Sequence, residues 1–166
     1  MPSLTAVRVC MWIKTNATGR GTLFSYAVNE GYNELLLVAP QNFVLHVRSV
    51  KRGPTNVSAN DGKWHHICLA WENTAGSWKL FKDGSLGANG EGLAKGRLIR
   101  GGGHLVLRQD QDDLGGCFEE HQSFTGEMAD VNTWNHVISD QEIRRMSKSC
   151  LTGTGNLFQW SDFITH

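Results

Sequence analysis

The chain has 166 residues, 40% of them apolar, with 19 glycines, three prolines and four cysteines. That length suits one domain, residues 1–166, with a sizeable core of its own. Sixteen Lys and Arg balance sixteen Asp and Glu, so no net field gathers a polyanion, and nucleic acid and anionic membrane surfaces are poor partners.

Taken in chain order, period-two alternation dominates. In Val7–Lys14 the odd positions Val7, Val9, Met11 and Ile13 make one apolar face, the mark of a half-buried strand. The run Glu34–Ala39 (ELLLVA) is far too short to span a bilayer, and no signal peptide is read at Met1–Leu4. No direct membrane insertion is therefore expected. Phe43–Arg48 alternates again, with Phe43, Leu45 and Val47 inward. Trp64–Trp71 and Trp78–Phe81 read as a hairpin across the polar loop 72–77, and Lys82-Asp83-Gly84 marks a tight turn. His104–Arg108 is a further strand and Gly126–Trp134 another. Between them lies the most acidic stretch of the chain, residues 109–122 (QDQDDLGGCFEEHQ). One helix is expected where Ser139-Asp140-Gln141-Glu142 forms a capping box ahead of Ile143 and Met146. Many short strands, glycine turns and a single short helix describe an all-β chain, a two-sheet β-sandwich of jelly-roll type.

The cysteines Cys10, Cys68, Cys117 and Cys150 contain no C-x-x-C pair, so two disulfides fit them better than zinc or a lone catalytic thiol. Asn16-Ala17-Thr18 and Asn56-Val57-Ser58 are N-glycosylation acceptors. Both features point to an extracellular chain. Five carboxylates crowd into 109–122, and Asp110 and Asp112, two apart after a strand, are expected to point the same way. Gly115-Gly116 folds the chain back so that Glu119 and Gln122 approach them. Carboxylate, amide and carbonyl oxygens are the ligands calcium prefers. The spacing excludes an EF-hand, since Leu114 and His121 fall where ligands would be needed. A glycosidase pair would need one acid raised by burial, which so polar a run does not suggest. His65, His66, His104 and His121 read as ordinary histidines rather than a zinc set, because neighbouring residues on a strand face opposite ways.

Three stretches carry a likeness to a known family: Phe24–Ala27 with Asn33–Leu35, His66–Trp71, and Gln109–Asp112 through Glu119 to Gln122. With Asn132-Thr133-Trp134, these residues resemble the pentraxin domain. The segments 60–68 and 83–91 look most like neuronal pentraxins and the pentraxin modules of mosaic adhesion proteins. The resemblance implies a concanavalin/laminin-G-like jelly roll with one helix on a face. It implies a Cys10–Cys68 disulfide, with Cys117–Cys150 as an additional bridge. It also implies two calcium ions, one held by Asn33, Asp110, the Gln111 carbonyl and Asp112, the other by Asp110, Asp112, Glu119 and Gln122. Tyr32 stands where the family often has Asp, and Asp110 where it has Glu. The implied function is non-catalytic: an extracellular, calcium-dependent recognition or adhesion module binding a protein or glycan ligand, secreted or in a receptor ectodomain. Homo-oligomers are implied as well. A calcium-independent interaction module is the alternative, and a carbohydrate-active enzyme the remote one. The match also implies flanking strands outside this segment.

Overall fold

The computed structural model describes residues 1–149 and 153–164, with Tyr32 described by its main chain alone. Ten strands lie among them: β1 (Ala6–Lys14), β2 (Thr22–Val28), β3 (Gly31–Val38), β4 (Val44–Val47), β5 (Val50–Arg52), β6 (Trp64–Glu72), β7 (Ser77–Lys82), β8 (Ser85–Gly90), β9 (His104–Leu107) and β10 (Glu127–Trp134). The helix is α1 (Asp140–Met146). Two antiparallel sheets form, ordered β10-β1-β6-β7-β8 and β5-β4-β3-β2-β9.

The alternation read in the sequence is what closes the sandwich. Val7, Val9, Met11 and Ile13 of β1 are buried with Ile67, Leu69 and Trp71 of β6, and they meet Phe24, Tyr26, Leu35, Leu37, Leu45 and Val47 of the other sheet. Apolar burial on this scale dominates the stability of the domain. Trp71 is fully buried and its indole N–H finds the Leu93 carbonyl at 2.8 Å, so its one polar atom adds no penalty.

The outer face of the first sheet carries a second apolar cluster. Cys10, Cys68, Phe81 and Trp134 pack there under Ile143 and Met146 of α1. The helix starts where expected: the Ser139 hydroxyl accepts from the Glu142 N–H at 3.3 Å. Cys10 lies directly opposite Cys68 in the β1–β6 register, and the two are joined as a disulfide. His66 shares this face, its ring 5.2 Å from that of Trp12, while His65 is held between Asp83 at 2.7 Å and Asp61 at 2.9 Å. The neighbouring histidines do face opposite ways. Cys10, His66 and Cys68 come within metal-ligating distance of one another, but the sulfurs are spent on the disulfide.

Tight approaches explain some of the glycines. At Gly103, just before β9, a Cβ would run into the Ala27 carbonyl oxygen of β2 and sit 2.8 Å from Val28 Cγ1, and its N–H donates to the Tyr26 hydroxyl. Gly103→Ala should therefore pry β9 from β2. The expected loss is about 2 kcal/mol of unfolding free energy, or about 4–8 °C in Tm for a chain of this size, measured by urea and thermal melts.

Candidate functional site

The acidic stretch is a loop hung from the end of β9. Arg108 leaves the strand with φ 69°, and the Phe124 N–H donates back to the Arg108 carbonyl at 2.9 Å, so residues 109–123 leave and return at one point. Within the loop, Gln111 is fully buried. Its side-chain amide donates to the main-chain carbonyls of Ser25 in β2 at 2.9 Å and His104 in β9 at 3.0 Å, and its Oε1 accepts from Gly115 N–H at 2.9 Å. A Cβ on Gly115 (φ 68°) would lie 2.8 Å from His104 Nδ1, so glycine is what lets the turn close. Ser25 sits between the inward-facing Phe24 and Tyr26. The loop is therefore folded over the outer face of the second sheet.

Asp110 is 1% exposed. One carboxylate oxygen accepts from Arg20 Nη2 at 2.8 Å, and the other, Oδ1, is buried with no partner. Burial pushes its carboxyl above the usual carboxylate range, against the pull of Arg20, and the Asp112 charge adds to the rise. Gln122, 6% exposed in the 3₁₀ turn Glu120–Gln122, likewise has a buried, unpartnered Oε1. Asp112 and Glu119 are exposed, and Glu119 meets His121 at 3.2 Å.

Two expectations need correction. Asp110 and Asp112 do not share one environment: Asp110 is buried and Asp112 exposed, and both lie beyond β9, which ends at Leu107, so strand alternation does not govern them. Nor is the run uniformly solvated. It contains one buried acid with a raised pKa, so the argument that polarity alone disfavours a catalytic carboxylate fails. Asn33 is half-buried at the start of β3, and no hydrogen bond among the described residues joins it to 109–123. Beside it, Glu34 is buried and clasped by Arg100 (Nη2 2.6 Å, N–H 2.8 Å) and by Arg48 Nε at 3.3 Å, which fixes the main chain next to Asn33. Sequence reasoning did not single out Arg20, Arg48 or Arg100, whose partners lie far along the chain. Asn16 and Asn56 are both exposed, as glycosylation requires. Cys117 is exposed and has no disulfide partner among the described residues, and Cys150, its expected partner, lies outside them.

Buried acceptor oxygens without donors are costly. Three such oxygens, Gln109 Oε1, Asp110 Oδ1 and Gln122 Oε1, lie within one loop, with the exposed carboxylates Asp112 and Glu119 on the same segment. All are hard oxygen donors, so the residues present suit calcium. Next to Arg20 lies an open cavity of about 430 Å³, walled by Val38, Val44, His46 and Lys51. Burial lowers the His46 pKa, with Arg20 and Lys51 adding to the effect.

The model of the Pentaxin family matches residues 1–164. Human neuronal pentraxin-1 is 40% identical over 166 residues, covering 98% of this chain and 38% of that protein. The rat sushi, von Willebrand factor type A, EGF and pentraxin domain-containing protein 1 is 36% identical over 169 residues, 99% of this chain and 5% of its own length. The chain thus spans well under half of these curated relatives. Among solved structures, the native heptameric SAP-like pentraxin of Limulus polyphemus superposes with a TM-score of 0.85 at 26% identity, covering 96% of this chain and 78% of that one.

Proposed function

Because the chain belongs to the pentraxin family, we propose that it is a non-catalytic, extracellular recognition module of a larger protein and that its ligand face is the loop 109–123 with calcium bound. The observation that carries this reading is the set of three buried, unpartnered acceptors in the loop, Gln109 Oε1, Asp110 Oδ1 and Gln122 Oε1, two of them on residues expected to hold calcium. Asp110, Gln111, Asp112, Glu119 and Gln122 would hold the ions, with Asn33 completing the first. Calcium would satisfy these oxygens, offset the mutual repulsion of the carboxylates and offer an open coordination position to an anionic or hydroxyl group of a protein or glycan ligand. Self-association belongs to the same reading, and light scattering on the purified chain reads it out.

Calcium at about 100 times its Kd should add roughly 2.7 kcal/mol, or about 5–10 °C in Tm. In Asp112→Asn the calcium-induced rise should shrink to a small fraction of that. Melting curves that superpose in excess calcium and in EDTA would sink the metal reading.

A second reading has its own observation. Arg20 already places a positive charge 2.8 Å from Asp110, so a calcium-independent interaction module would need no ion there. Arg20→Ala distinguishes the two. Under the calcium reading the calcium-induced shift survives or grows. Under the alternative the variant is simply less stable, with or without calcium.

A further inference from the structure

Arg8 is 1% exposed. It points outward from β1, away from the core made by Val7 and Val9, and its guanidinium lies 3.8 Å above the centroid of Trp134, its register partner on β10. On its other side the register partner is Ala70, whose side chain has no polar atom. Nε and Nη1 are buried and have no hydrogen-bond partner. Burial accordingly lowers its pKa to about 10, although Glu142 works in the opposite direction. A buried cation with idle donors is expensive to keep unless something accepts from it. Beside it opens a cavity of about 390 Å³, lined by Arg8, Trp134, Ile138, Glu142, Arg145 and Met146. It lies between α1 and the outer face of the first sheet, on the opposite side of the sandwich from loop 109–123.

We propose that this cavity binds an organic carboxylate, with the anionic group on Arg8 and an apolar body against Trp134, Ile138 and Met146. A guanidinium stacked on an aromatic ring keeps its edges free for a carboxylate, and the pairing is planar and directional. Arg145 at the rim adds positive charge, while Glu142 on the same wall disfavours a dianion such as phosphate. The volume suits one small acid or the last residue of a polypeptide. A free aromatic or aliphatic acid and a polypeptide C-terminus ending in an apolar residue share this chemistry.

The test is an NMR titration of the isotope-labelled chain with phenylacetate, with a short peptide ending in leucine, and with the amide counterpart of each. Saturable shifts at the Trp134 indole and the Ile138 and Met146 methyls are expected with the acids and not with the amides. They should be equal in calcium and in EDTA, because the site is independent of the acidic loop. Binding by phenylacetate assigns a free acid as ligand, and binding by the peptide alone assigns a polypeptide terminus. Arg8→Met should weaken binding roughly ten- to hundred-fold, and Glu142→Gln should tighten it about threefold. The proposal is overturned if neither acid gives saturable shifts at millimolar concentration, if the amides bind as well as the acids, or if Arg8→Met binds undiminished. Should Arg8→Met fail to fold, the acid–amide comparison and Glu142→Gln decide on their own.

Discussion

Replacing Cys10 and Cys68 together by alanine is expected to lower the unfolding free energy by about 4 kcal/mol, close to what a cross-link over this span removes from the unfolded chain's freedom. The two residues are 58 apart in sequence yet directly opposed in the β1–β6 register. Nearly all the effect therefore comes from closing a long loop, since the strands are paired without the bridge. For a chain of this size the loss corresponds to about 8–16 °C in Tm. The sulfurs are also buried under Phe81, Trp134, Ile143 and Met146, so the alanines leave a small additional void. The check is calorimetry of the variant beside the unsubstituted chain in strong reductant. Both should melt low and near one another. An oxidised chain no more stable than the double variant would contradict the argument.

The second large effect is a loss of stability in acid in which His66 has the largest resolved share. His66 is 2% exposed, packed on Trp12 and beside the disulfide. Burial drives its pKa down to about 4; Arg8 adds to the fall and Asp83 opposes it. The unfolded chain takes up a proton at the ordinary histidine value of about 6.5, whereas the folded one resists until about 4. Between those values the unfolded state binds more protons, so stability falls as pH falls. The contribution is fully present above pH 6.5 and lost progressively toward pH 4, about 3 kcal/mol in all by the same linkage. His66→Phe keeps a ring against Trp12 and removes the titration. Its urea midpoint, measured from pH 7 to pH 4.5, should fall less than that of the unsubstituted chain. Parallel pH profiles for the two proteins would refute the assignment. The raised carboxyl of Asp110 works in the opposite sense, favouring the folded state in acid, so the loop's buried acid does not supply the slope. The lowered pKa of His46 adds to the slope in the same direction, and the difference between the two pH profiles is the share of His66.

What could be read from the sequence followed the physics of one-sided burial. In β1 and β4 the residues that enter the core, Val7, Val9, Met11 and Ile13 and then Leu45 and Val47, recur at every second position, and α1 announced itself through the Ser139 cap. β2 carries no such rhythm because every residue of Thr22–Val28 is buried: the core takes one face and Gln111 of the acidic loop helps cover the other. β8 was missed for the reverse reason, being a glycine-containing edge strand that is mostly exposed. At the candidate site, residue types marked Asp110, Asp112, Glu119 and Gln122 as candidate oxygen ligands, and the family resemblance added the Gln111 carbonyl. Their division into buried and exposed did not follow from type, because it depends on the loop folding onto Ser25 and on Arg20, 90 residues from Asp110. Arg8 had one available signal, a charged residue between Val7 and Val9 on the same side of the strand as Cys10.

The Arg108–Phe124 closure has a consequence for how such a domain changes over time. Because residues 109–123 begin and end at one hydrogen-bonded point, the exposed part of the segment, beyond the Gln111 anchor on β2 and β9, can change in length and chemistry without moving any strand of either sheet. Loop closure entropy grows only slowly with length, so even sizeable insertions there would leave the scaffold standing. The sandwich behaves as a socket and the acidic segment as an exchangeable insert, which lets new binding preferences arise while the core and its disulfide stay as they are.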